Sequence, residues 1–212
     1  MINTLVRPSS GRVLFGGDDV TQMRQAQLRR RMGYVFQGIG LFPHFTVGEN
    51  IAIGPRLAGE KLPVERIAEL LELVELDPDM MNRTPDALSG GQRQRVGVAR
   101  ALAGDPDLLI MDEPFGALDP ITRDALGTKV HELHERLGLT TIMVTHDMAE
   151  ALLLADRVLV MSLGELVADE TPKALLAGAG GQIAQDLVAV PRQQAERLAL
   201  MESVKAPEGD QA

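Results

Sequence analysis

Two adjacent carboxylates, Asp112 and Glu113, close a hydrophobic run, Asp107-Leu108-Leu109-Ile110-Met111. A hard cation such as Mg²⁺ prefers carboxylate and water oxygens, so Asp112 suits such a metal. Glu113 beside it suits a general base that polarises an attacking water. Upstream, Leu88-Ser89-Gly90-Gly91-Gln92 is a polar, glycine-rich turn that opens a helix. Ser89 is a good N-cap, and two glycines let the backbone approach a ligand closely. A helix N-terminus offers free N–H groups and a partial positive charge, which suits a phosphate. Plain structural alternatives stand beside both readings: a capped surface helix with no ligand, and a strand end running into a solvated acidic loop.

The elements that must position these groups are legible. The run from Leu108 to Met111 has the length and composition of a parallel strand buried on both faces. Open α/β sheets bind ligands at the C-terminal ends of such strands. A turn follows and closes on Asp119.

In order, LSGGQ, LLIMDEP and GALD resemble the signature motif, Walker B and D-loop of the ATP-binding subunit of ABC transporters. The resemblance implies an α/β fold: a P-loop NTPase (RecA-like) cassette core with an inserted α-helical subdomain. It implies ATP hydrolysis with Mg²⁺. Ser89, Gly90, Gly91 and Gln92 of one copy would close over ATP held by a second copy, with Asp119 in the D-loop. Asp112 and Gln37 would serve the metal, Glu113 the attacking water, and His146 the γ-phosphate. Gln37, after the strand Met32–Phe36, matches the Q-loop position. His146 matches the switch histidine between TTIMVT and DMAEA. The resemblance divides the chain into a partial core (1–37), a helical subdomain with the signature (38–103), more core (104–170) and a helical tail with a disordered end from Lys205 (171–212).

The stretch IGLFPH…TV…NIA resembles the quaternary-amine branch, whose cargo is glycine betaine and related osmoprotectants, more than most others. Its apolar loop, Gly38–Val47, reads as a partner surface. In ABC importers this region receives the membrane subunit. The implied partners are transmembrane permease subunits, a second ATP-binding subunit in a homodimer and, indirectly, a periplasmic or extracellular substrate-binding protein.

The 212 residues suffice for one ordinary domain, and aromatic content of 3% makes the core aliphatic. A net charge of -9 argues against a nucleic-acid partner. With no cysteine, neither disulfides nor thiolate metal sites form. No apolar run reaches the ~18 residues of a membrane span. The expected location is cytoplasmic, peripheral on the inner face of the plasma membrane.

Further expectations follow from pattern. Arg12–Phe15 reads as a strand and Gly16–Asp19 as a turn. Val64–Leu76 is an amphipathic helix burying Ile67, Leu70, Leu71 and Val74, with Glu65, Glu69, Glu72 and Glu75 on a solvated face. Ser89 caps a helix to about Ala103, whose Arg93, Arg95 and Arg100 are expected in surface ion pairs. Pro120–Leu137 is a helix, Thr140–Thr145 a buried strand, and Asp147–Ala155 a helix. Arg157–Ser162 and Glu165–Asp169 are strands about a Leu163-Gly164 turn, and a last helix spans Pro191–Met201.

A P-loop needs G-x-x-x-x-G-K-[ST], and the sequence contains no such pattern. By the resemblance, Met1–Gly11 continues the helix that follows that loop. The expectation is therefore a cassette lacking its first strands, its P-loop and its adenine-stacking aromatic, through a start upstream of Met1 or truncation. Losing three charged hydrogen bonds would weaken nucleotide binding by at least about 4.5 kcal/mol, more than a thousandfold. Two apolar strand edges, at the strand before His146 and at Val158–Met161, should lack a neighbour. The competing readings are an importer ATPase for another polar solute, and a non-catalytic fragment acting as an interaction partner. Soluble ABC ATPases of translation or DNA repair are disfavoured, because tandem cassettes, zinc cysteines and long coiled coils are absent.

Overall fold

The computed structural model describes residues 1–116 and 118–203. The stretch expected to continue a helix, Met1–Gly11, is instead a run of turns and bends. Thr4 is left-handed (φ 58°) and its N–H donates to the Met1 carbonyl over 2.9 Å. Pro8 supplies no N–H to a helix. Strand β1 (Leu14–Phe15) is shorter than expected, and β2 (Asp18–Asp19) pairs antiparallel with it. Gly16 and Gly17, at φ 60° and 92°, make the reversal, so Asp18 and Asp19 belong to a strand.

Helix α1 (Gln25–Arg30) leads to β3 (Met32–Val35). The apolar loop then enters α2 (Val47–Ile51) through a capping box: the Glu49 N–H donates to Thr46 Oγ1 (3.2 Å) and the Thr46 N–H to Glu49 Oε2 (2.8 Å). Next come α3 (Ile53–Leu57) and α4 (Val64–Leu73), which buries Ile67, Leu70 and Leu71, with Val74 buried just beyond it. Glu65, Glu69, Glu72 and Glu75 are all exposed, as expected of a solvated face, and two of them form surface ion pairs. Glu69 pairs with Arg66 at 2.9 Å, and Glu75, left-handed at φ 57°, reaches Lys129 at 2.8 Å. Two short 3₁₀ helices, Pro78–Asn82 and Pro85–Ala87, precede α5 (Gly90–Leu102).

Strand β4 (Leu108–Asp112) lies between β3 and β5 (Thr140–Val144), parallel to both. Leu108, Leu109, Ile110 and Met111 are buried, as the unbroken apolar run predicts. Helix α6 (Pro120–Leu137) crosses over between β4 and β5 and stops at Gly138, left-handed at φ 60°. The expected burial of β5 is not found: Thr140 and Val144 are exposed. The reason is position, since β5 is the edge of the three-stranded sheet. Parallel pairing brings the C-terminal ends of β3 and β4 to the same side, and with them Gln37 and the two carboxylates.

This first unit runs from Met1 to Val144, and a second begins at Thr145. The second holds α7 (Met148–Leu154), a hairpin of β6 (Val158–Ser162) and β7 (Glu165–Glu170), α8 (Pro172–Leu176) and α9 (Gly181–Ser203). Its core is Val158, Val160, Ala168, Leu175, Ala184 and Val188. The last helix starts at Gly181 rather than Pro191 and continues through that proline. Ala184 and Val188 are fully buried, and Gln185 Nε2 donates to the Leu175 and Ala179 carbonyls (2.9 and 2.5 Å), so the turns before Pro191 are docked on this core, whereas residues 192–201 beyond it are exposed. Among the described residues β5 pairs with β4 alone and β6 with β7 alone, leaving the two unpaired edges expected. The disordered end expected from Lys205 lies outside the described residues.

Candidate functional site

The Gln37 side chain, just past β3, donates from Nε2 to Glu113 Oε2, just past β4, over 2.7 Å. Glu113 is itself set by backbone geometry. Its φ is 43°, and its N–H donates to the Val144 carbonyl at 2.8 Å, which ties the turn to the end of β5. A non-glycine residue in the left-handed region persists only where its surroundings hold it. Asp112 is the last residue of β4, opposite Val144, and is half-buried.

At the signature turn, Ser89 and Gln92 form a reciprocal cap. The Gln92 N–H donates to Ser89 Oγ (3.2 Å) and the Ser89 N–H to Gln92 Oε1 (2.9 Å). Of the first N–H groups of α5, this leaves those of Gly90 and Gly91 without an intrahelical acceptor. The two glycines differ. A Cβ on Gly90 would meet nothing within 4 Å, whereas one on Gly91 would lie 2.7 Å from Thr122 Cγ2. Gly90 thus leaves the helix end open to a ligand, and Gly91 lets α5 pack on α6.

Asp119 is the N-cap of α6, accepting the Thr122 N–H at 3.0 Å. That bond holds the Asp119 carboxyl below its usual pKa. Thr122 therefore links the signature turn to the D-loop aspartate. His146 belongs to the second unit, where it is exposed beside Asp147, the N-cap of α7.

Two anchors of the site were not anticipated. Asn50, fully buried, accepts the Phe42 N–H (2.7 Å) and donates from Nδ2 to the Phe42, Phe45 and Thr46 carbonyls (3.1, 3.3 and 2.9 Å). It organises the aromatic loop, where Phe42 packs 5.2 Å from Phe45 and His44 4.9 Å from Phe45. A polar residue amid the buried positions of a short helix was the available signal. The second anchor is Arg100, expected in a surface ion pair. Its Nη1 and Nη2 donate to the Gly40 and Ile39 carbonyls at 2.6 and 2.7 Å. Arg93 donates to the Leu88 carbonyl (2.6 Å), and among the described residues Arg95 alone of the three approaches a carboxylate, Glu75 at 4.0 Å.

By chemistry the donors suit a hard cation such as Mg²⁺, which prefers oxygen ligands: the Asp112 and Glu113 carboxylates and the Gln37 amide oxygen. The ABC transporter family model matches residues 1–116, a span holding Gln37, the signature turn, Asp112 and Glu113. The chain belongs to the ABC transporter family. A curated relative in this family, the glycine betaine/carnitine/choline transport ATP-binding protein OpuCA of Bacillus subtilis (strain 168), is 46% identical over 194 residues, 91% of this chain and 51% of that protein. The chain therefore spans about half the length of that ABC relative.

Solved ABC cassettes share the fold. The cassette MJ0796, in a dimeric post-hydrolysis state bound to ADP and Pi, is 31% identical with a TM-score of 0.69, over 81% of this chain and 77% of that one. The protein cbiO1 of Clostridium perfringens, part of the ABC transporter complex cbiONQ, is 30% identical with a TM-score of 0.77, over 95% and 80%.

Proposed function

We propose that this chain carries the lid and the water-activating carboxylate of an ATP-hydrolysing importer subunit, with glycine betaine or a related quaternary amine as cargo. The observation that supports the catalytic part best is the 2.7 Å bond from Gln37 to Glu113 at neighbouring parallel strand ends. The cargo rests on the name of the Bacillus subtilis relative.

Asp112 and the Gln37 amide oxygen are assigned to Mg²⁺, which when bound supplies charge neutralisation for phosphate oxygens. Glu113 accepts the proton of the attacking water, a contribution of ~10²–10⁴ in rate. The Gly90 and Gly91 N–H groups and the Ser89 hydroxyl face the phosphates of ATP held by a second copy. Gln92 shapes that turn, Asp119 fixes the adjoining helix, and His146 is assigned to the γ-phosphate. The proposed partners are permease subunits, a second ATP-binding subunit and, indirectly, a substrate-binding protein. Phe36 and Phe42, 52% and 42% exposed, mark the surface proposed for the permease. Among the described residues no helix is long and apolar enough to cross a membrane, which suits a peripheral place on the cytoplasmic face.

The test is ATP turnover by the assembled transporter with Glu113→Gln beside the unaltered subunit. Equal turnover would remove Glu113 from its role. Uptake of labelled glycine betaine against other polar solutes tests the cargo. A second reading, an interaction partner that binds no ATP alone, is favoured by the lack of a G-x-x-x-x-G-K-[ST] pattern in these 212 residues. Titration with Mg-ATP separates the two. For this chain alone, binding no tighter than roughly millimolar is expected.

A further inference from the structure

The turn that follows Gln37 is held in an unfavourable shape. Ile39 and Gly40 are consecutive left-handed residues, at φ 62° and 57°. For a β-branched isoleucine that region is a genuine outlier, and some neighbour has to maintain it. Within the turn, the Ile39 N–H donates to the Phe36 carbonyl (3.0 Å) and the Gly40 N–H to the Gly38 carbonyl (2.6 Å). The Arg100 guanidinium donates to both the Ile39 and the Gly40 carbonyls, at 2.7 and 2.6 Å.

Arg100 does little else. It is half-buried and pairs with no carboxylate among the described residues, and burial lowers its pKa from the ordinary arginine value. Its guanidinium carbon lies 5.9 Å from the Phe36 ring centroid, so it also flanks the residue before Gln37. One turn earlier on the same helix, a Cβ on Gly97 would lie 3.5 Å from Ile39 Cγ2, so α5 runs close beside the turn there as well. Next to Arg100, the Ala101 carbonyl sits against Gly33 of β3 so closely that no Cβ fits there. Helix α5 is thus fixed to β3 and to the turn after it, while its other end carries the signature cap.

We propose that Arg100 is a positioning residue for the Gln37–Glu113 pair. By holding the two carbonyls of the left-handed turn, it sets where the Gln37 amide meets the Glu113 carboxylate. It also joins that contact to the helix whose first residues form the signature turn. The guanidinium suits this because its planar fork presents two parallel donors, a geometry an ammonium group does not offer. The catalytic meaning of the contact rests on the function proposed above, but the contact itself does not.

The experiment reads the contact directly in the 212-residue chain. In ¹⁵N-glutamine-labelled protein, the Gln37 side-chain amide is assigned by its loss in Gln37→Ala. Its shift change on Glu113→Gln measures the bond. The same comparison is then made in Arg100→Met and Arg100→Lys backgrounds, with circular dichroism as the fold check. The expected result is a clear response with Arg100, its loss in folded Arg100→Met, and roughly half of it in Arg100→Lys, where a single ammonium replaces the fork. An unchanged response in folded Arg100→Met would overturn the proposal. If Arg100→Met does not fold, a full response in Arg100→Lys would assign Arg100 to stability alone and overturn it too. In the assembled transporter, Arg100→Lys should lower kcat and leave KM for ATP unchanged. If Glu113→Gln leaves turnover intact while the amide responses behave as stated, the hydrolytic reading fails and the positioning role stands.

Discussion

The side-chain amide of Gln37 donates to the Glu113 carboxylate across 2.7 Å, although 76 residues separate them in the chain. The pairing follows from β3 and β4 lying side by side and parallel, so that what emerges from each arrives at one place. The two roles are separable by magnitude. Glu113→Gln in the assembled transporter removes the general base, and ATP turnover is expected to fall by ~10²–10⁴. Gln37→Ala removes the hydrogen bond to Glu113, worth about 1.5–3 kcal/mol or roughly ten- to hundredfold, together with the amide oxygen assigned to Mg²⁺. A larger loss in Gln37→Ala than in Glu113→Gln would reverse the assignment.

The two signature glycines should respond oppositely to the same substitution. Gly90→Ala adds a methyl into open space on a helix, where alanine is favoured by up to about 1 kcal/mol, so the chain should be slightly more stable. Gly91→Ala pushes a methyl to 2.7 Å from Thr122 Cγ2, and overpacking of that kind costs about 1–3 kcal/mol. Thr122→Ser deletes the offending methyl and should restore most of the loss in the double variant. Urea midpoints of the four proteins measure this. Equal destabilisation by both glycine substitutions would show that Gly91 is not the packing glycine.

Asn50 supports a loop of exposed aromatics from beneath. Asn50→Ala removes four hydrogen bonds to the backbone of Phe42, Phe45 and Thr46, and leaving such groups unpaired costs about 1–3 kcal/mol each where they are buried. The expected result is a melting temperature lower by several degrees, at about 2–4 °C per kcal/mol for a chain of this size. Rapid hydrogen exchange should appear at the Phe42 amide. Retained protection there would mean the loop is held by its aromatic contacts instead.

Much of the arrangement was readable locally. The unbroken apolar run of β4, the proline and glycine that bound α6, and the serine cap of α5 are short-range signals, and the structure places those elements where they point. What was missed depends on neighbours distant in sequence. Arg100 meets Ile39 and Gly40 across 61 and 60 residues, and no periodicity on α5 announces that contact. The exposure of β5 follows from its edge position, which its apolar composition does not reveal. Pro191 suggests a helix start as a local rule, yet α9 begins at Gly181, where Ala184 and Val188 pack into a core built from β6, β7 and α8. The family resemblance assigned Gln37 and Glu113 to one site, but their direct hydrogen bond was not foreseen.

Asp119 gives a pH dependence whose sign is fixed. Its carboxylate accepts the Thr122 N–H at the start of α6, which lowers its pKa from 3.8 in the folded chain. A group with a depressed folded pKa contributes stability above its unfolded value, and that contribution is lost as pH falls through the folded one. Protonation also removes a negative charge that favours the helix N-terminus. Asp119→Asn keeps a competent cap without the titration. The stability of the wild type relative to this variant should therefore be constant above about pH 5 and shrink as pH drops below 4. Asp19, Glu75 and Asp86 also have lowered pKa values, so the acid slope of either protein alone is composite, and the difference between the two isolates Asp119. Parallel stability curves from pH 6 to 3 would show that the Thr122 bond does not distinguish the two ionisation states.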